Sequence, residues 1–207
     1  MANRYLIDRY NSCTENEKRQ GELWYESANK FCESTALLYG INPEIVAAVV
    51  SALSPRNRWE RNTQDALSLI QAKDEGSAFD SFSVCTFTGN KTKAWNLLDN
   101  QDSFDPDVFF KGPKTRCFWD NITYRDSPRV TIDTWAIRAA YNTRANWQRS
   151  ITLKEYRKLE KTYLTAAAMV GAVPKVFQAV VWVSVRNELL FKKNEQKQTD
   201  NQPTLVA

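Results

Sequence analysis

The chain has 207 residues, 43% of them hydrophobic, with seven Trp and ten Phe, which suffices for one domain with a sizeable core and excludes disorder for most of its length. A formal net charge of +4 permits nucleic-acid binding without arguing for it, so the placement of the basic residues must decide that question. Histidine is absent, which removes His triads, His metal ligands and a His general base together, and Cys13, Cys32, Cys85 and Cys117 form no C-x-x-C pair, which argues against zinc and iron–sulfur sites.

Along the chain, Leu23, Trp24, Ser27, Phe31 and Ala36 to Leu38 recur at helical spacing, and Gly40 reads as the stop. Asn42-Pro43-Glu44 is a helix start: Asn caps, Pro suits the first helical position and Glu favours the first turn. The helix that follows is apolar on every side, hence central, and it ends at Ser54-Pro55. An amphipathic helix then runs from Trp59 to Ile70. The junction between them holds Arg56, Asn57, Arg58 and Arg61 around Trp59, a composition suited to phosphate contacts and to a side chain pressed into a base stack. A solvated helix start explains the same cluster.

Residues 73 to 90 read as a connector, and Thr88-Gly89-Asn90 opens a helix carrying Lys91 and Lys93, placed to reach phosphate or solvent. Asn100 to Asp107 is an acidic turn in which Asp105 or Asp107 caps a short segment. The informative stretch is Phe109 to Ala139. It predicts a turn at Lys111-Gly112-Pro113, a helix opening at Lys114, a polar loop, and a second helix opening at Ile132-Asp133-Thr134. Lys114 and Asp133 then stand near the starts of two consecutive helices. A lysine sharing a partly desolvated cleft with a carboxylate is a candidate amine nucleophile; a cap and a solvated lysine are the plain alternative.

Leu153, Tyr156, Leu159, Tyr163 and Ala167 mark another helix, ended by Gly171. Val173-Pro174 starts the last one, with Phe177, Val180, Val181 and Ser184 toward the core. Gln178 is polar in an apolar run, so its amide either satisfies internal groups or reads a ligand. From Lys192 the chain is polar and is expected to be a disordered tail, leaving 1–191 as one domain.

Five segments, taken in order, resemble the helix-hairpin-helix DNA glycosylases of the endonuclease III and 8-oxoguanine glycosylase superfamily. Ala52-Leu53-Ser54-Pro55-Arg56-Asn57 is similar to the loop that fills the gap left by an extruded nucleotide. Gly89 to Ala94 is similar to the Gly-x-x-x-Lys-Ala segment under the hairpin. Gly112-Pro113-Lys114-Thr115 resembles the hairpin end with its nucleophile, although Phe110 stands where the first hairpin glycine is usual. Val130 to Thr134 resembles the segment with the essential Asp, followed here by Trp135. Phe177 to Trp182 looks like the base-reading helix of the 8-oxoguanine branch.

The resemblance implies an all-α, two-lobed fold with the active-site cleft between lobes. It implies a DNA glycosylase, with lyase activity, that acts in repair or in defence against modified phage DNA. Lys114 and Asp133 are then catalytic, and Gln178 and Trp182 receive the base. Arg56, Asn57, Arg58, Arg61, Lys91, Lys93, Lys111, Gly112 and Thr115 hold DNA. A same-fold enzyme of base hypermodification and a non-catalytic DNA-binding module are the alternatives. The expected partner is duplex DNA, bound by a monomer with no cofactor and no metal. Scattered thiols without a signal peptide suggest a cytoplasmic setting, and no apolar run approaches a membrane span.

Overall fold

The structure, a computed structural model, describes residues 2–143 and 150–200. Among them the chain is all helical, with no strand, as the sequence predicts. It divides into two compact units: a continuous one, Tyr25–Thr131, and a split one, Met1–Trp24 with Ile132–Ala207.

The continuous unit is built on α3 (Pro43–Leu53). Asn42 caps it, its side chain accepting from Glu44 N–H at 2.8 Å, and Pro43 occupies the first turn. Every residue from Ile45 to Leu53 is buried, so the helix has no solvent face and must be enclosed. Three helices enclose it: α4 (Trp59–Asp74), α5 (Thr88–Asp99) and α7 (Pro113–Thr123). Two buried polar groups fix the spacing. Asn62 Nδ2 donates to the Val50 carbonyl at 3.0 Å, and Trp119 Nε1 donates to the Glu44 carbonyl at 2.9 Å. The short α6 (Pro106–Phe109) precedes α7 and is capped by Asp105, not Asp107, with contacts to the N–H groups of Asp107 and Val108.

The split unit packs α1 (Ala2–Ser12) against α8 (Thr134–Tyr141), α9 (Leu153–Met169) and α10 (Pro174–Asp200). Thr152 and Glu155 form a reciprocal capping box at the start of α9, and Gly171, at φ +67°, follows its end. Leu6, Tyr163, Phe177 and Val180 are fully buried, with the Tyr10 ring stacked on Phe177 at 4.9 Å. The last helix runs to Asp200, so the polar segment expected as a tail from residue 192 begins as helix; residues 201–207 lie outside the described ones.

One expectation is corrected. The large apolar residues of α2 (Glu15–Tyr39) do not form its packed face: Leu23, Leu37 and Leu38 are exposed, Leu37 by 87%. The buried positions are Gly21, Tyr25, Ala28, Cys32, Thr35 and Ala36. These are mostly small, and small residues allow close helix approach, which outweighs side-chain hydrophobicity here. The sharpest case is Gly21 in the split unit, where an added Cβ would meet the Val180 backbone at 2.5 Å.

Gly21→Ala should therefore destabilise the protein by about 1–3 kcal/mol through overpacking. Chemical denaturation followed by circular dichroism measures this, and an unchanged midpoint would refute the close contact.

Candidate functional site

The site is assembled from helix ends. In the continuous unit, α6 leads through Phe110 into α7, and the turn is held by aromatic packing. Phe110 is buried, edge-on to Phe109 at 4.8 Å and tilted against Trp119 at 6.0 Å. At this position, where the resemblance has a glycine, a ring anchors the turn from inside. Gly112 precedes α7 at φ −120°, an ordinary extended conformation, with open space where a Cβ would stand.

Lys114 is the second residue of α7, half-buried, and makes no hydrogen bond or ion pair within its unit. Thr115 Oγ1 donates to the Gly112 carbonyl at 3.3 Å, and Lys111 is exposed beside the turn. Lys93 reaches in from α5: its ammonium donates to the Phe109 carbonyl and lies 4.1 Å from the centre of that ring. Burial, with the charge of Lys111, holds the Lys93 amine below the usual lysine range. Lys91, expected at phosphate or in solvent, is in neither place. It is buried, donates to the carbonyls of Phe79 and Phe82 at 2.6 Å each, and sits over both rings. Those interactions occupy it with structure and remove it from a surface role.

Farther along α7, Arg116 bridges Asp107 and Asp120, and Arg129 pairs with the other oxygen of Asp120 at 2.5 Å. A buried set formed by Tyr25, Asn121, Ser127 and Thr131 ties down the polar loop that leads out of α7.

The arginine-rich junction is a second feature of the same unit. Arg56 is exposed and lies in the left-handed region at φ +59°, uncommon for a residue with a Cβ. Its guanidinium stands 5.1 Å from the ring centre of the exposed Phe87. Arg58 is exposed. Asn57 is turned inward, donating to the buried Asp65 carboxylate at 2.9 Å. Asp65 also accepts from Arg61 Nε and from the Cys85 N–H, each at 2.7 Å. One buried carboxylate thus fastens the junction, α4 and the segment before α5. Arg56 and Arg58 project, whereas Asn57 and Arg61 brace. The sequence reading missed Asp65 and Phe87. Asp65 had a local signal, a carboxylate four residues after Arg61; Phe87 had none.

In the split unit, Asp133 caps α8, its Oδ1 accepting from Ala136 N–H at 2.8 Å. Tyr163 donates to the Ala136 carbonyl at 2.8 Å, and its burial, with the nearby Asp133 charge, pushes its phenol well above the usual range. Trp135 is half-buried under Arg138, 5.0 Å from its ring centre. On α10, which packs against α8, Gln178 is buried. Trp182 is half-buried, edge-on to Trp24 at 5.7 Å and covered by Arg186 at 5.3 Å. The structure therefore gathers Lys93, Lys111, Gly112, Lys114 and Thr115 at the turn before α7, and Arg56 and Arg58 at the junction. Asp133, Gln178 and Trp182 belong to the other unit.

Asp65→Ala leaves three donors without their acceptor and should cost about 3 kcal/mol. Hydrogen exchange at the Cys85 amide should accelerate in the variant. Unchanged protection there would refute Asp65 as the fastening group.

No curated protein and no solved structure matches the chain. A family model described as "Family of unknown function (DUF7178)" matches residues 1–189, nearly the whole chain. The chain is therefore a member of that family.

Proposed function

We propose that the protein is a DNA glycosylase with abasic-site lyase activity, of the helix-hairpin-helix type. The observation that carries the reading is the pairing along the chain of an amine and a carboxylate at two helix starts. Lys114 lies in the first turn of α7 with no partner within its unit, and Asp133 caps α8 nineteen residues later. The free N–H groups and positive end of a helix favour negative charge beside such residues, as phosphate or as carboxylate.

The chemistry follows from these groups. The target nucleotide leaves the stack at a cost of a few kcal/mol. Lys114 Nζ, unprotonated, attacks C1′; the glycosidic bond breaks and the base departs with its electron pair. Asp133 stabilises the positive charge that develops on the sugar. The C1′–O4′ bond then breaks, O4′ staying on C4′ as a hydroxyl with a proton from the amine, and a C1′=Nζ Schiff base forms. Removal of a C2′ proton then expels the 3′ phosphate and nicks the strand. Arg56 and Arg58 are the exposed cations suited to the distorted backbone. By the resemblance, Gln178 and Trp182 would read the base.

A second reading, a DNA-binding module without chemistry, is favoured by one observation: Asp133 Oδ1 already serves as a helix cap. Borohydride trapping separates the two. The protein is mixed with a duplex carrying an abasic site, reduced, and mapped by mass spectrometry. An adduct on Lys114, lost in Lys114→Gln while DNA binding persists, is the expected result. Asp133→Asn should slow base release by about 10²–10³-fold with DNA affinity retained. Tight binding without any adduct would leave the non-catalytic reading in place.

A further inference from the structure

The polar loop that follows α7 encloses an open depression of about 480 Å³, lined by Thr123, Tyr124, Arg125, Ser127 and Arg129, with Asp126 also at its wall. Its volume lies within the roughly 300–1,000 Å³ typical of small-molecule sites, but its lining is polar and it opens to solvent. Three features show unspent donor capacity. Arg129 uses Nε on Asp120, and its two terminal nitrogens make no hydrogen bond within the unit. Arg125 is exposed and forms no ion pair within the unit. Thr123 Oγ1 is buried and has no hydrogen-bond partner among the described residues.

The neighbouring acid does not cancel this capacity. Asp120 is held by both Arg116 and Arg129, so its charge is already matched. The Ser127 hydroxyl is committed to Asn121 at 2.7 Å. Asp126, an exposed carboxylate at the wall, opposes an incoming anion, and the Glu26 carboxylate, which feels the Arg125 charge, also competes for it. Tyr124, exposed and with its ring edge-on to Trp119 at 5.5 Å, lines the depression together with both arginines, and cations beside an aromatic face are the combination that holds a nucleotide by its phosphate and its base.

We propose that this depression is a binding site for the phosphate ester of a nucleotide, free or within a DNA strand. Arg129 is paired with Asp120 through Nε, which leaves its two terminal nitrogens for an incoming group, and phosphate oxygens accept from such nitrogens in pairs. The site lies about 15 Å along α7 from Lys114, by helix rise alone. It does not depend on the amine chemistry, so Lys114→Gln leaves it unchanged and the two proposals can fail separately.

The test uses the full chain, with arginine side-chain nitrogen–proton signals as the readout. It is titrated with thymidine 5′-monophosphate, with thymidine, and with a five-nucleotide thymidine strand. The monophosphate should bind and shift the Arg129 signal, whereas thymidine at the same concentration should not. Arg125→Gln should weaken phosphate-dependent binding about tenfold, and Asp126→Asn should strengthen it about threefold. Strand binding that depends on Arg125 without monophosphate binding assigns the phosphate to a strand backbone. Monophosphate binding assigns it to a free nucleotide as well. Equal affinities in wild type, Arg125→Gln and Asp126→Asn for both phosphate ligands, with unchanged circular dichroism, would overturn the site.

Discussion

The constraint on which the continuous unit depends is the complete burial of α3. A helix with no polar face is stable only when enclosed, and α4, α5 and α7 do the enclosing. Their middles are therefore fixed by apolar packing, and their ends are fixed in consequence. Most candidate residues sit at those ends: Arg56 and Arg58 before α4, Lys114 at the start of α7, and Arg125 and Arg129 after it. A rigid interior thus positions cations that themselves contribute little to stability.

Polar groups refine that placement where apolar packing is indifferent to direction. Asp65 brings together three backbone segments through three donors, and Asp120 draws Arg116 and Arg129 onto one carboxylate. Lys91 and Lys93 act in the same way with the sign reversed, each gathering backbone carbonyls and aromatic rings around an ammonium. At the turn before α7 the apolar and polar devices meet, since Phe110 anchors the turn and Lys93 holds the carbonyl next to it.

What the sequence made legible was local. The Asn42-Pro43-Glu44 start, the caps at Asp105 and Asp133, and the stops at Gly40 and Gly171 all rest on chemistry within a few residues, and the structure has each of them. The apolar run of α3 also announced its burial. What failed was decided at long range. The packed face of α2 is chosen by closeness of approach, which apolarity does not report. Lys91 is buried because two carbonyls and two rings from the preceding connector surround it, and nothing at position 91 itself encodes them. Asn57 turns inward, and the exposed Arg61 is tied at its Nε, because of a carboxylate that also takes the Cys85 N–H. In the candidate site, helix-start positions could be read from spacing; the division into exposed and bracing side chains could not.

The left-handed backbone at Arg56 has a consequence for how this position can change. A side chain bearing a Cβ costs about 1–2 kcal/mol in that conformation, a cost glycine avoids. Stability alone would therefore draw position 56 toward glycine, and the conversion would relieve strain without disturbing the core. The same step would delete the exposed guanidinium and uncover the Phe87 ring, leaving a bare aromatic on a charged surface. Solubility and charge thus pull against conformational ease at a single codon, and arginine there is a compromise in which the backbone bears the burden.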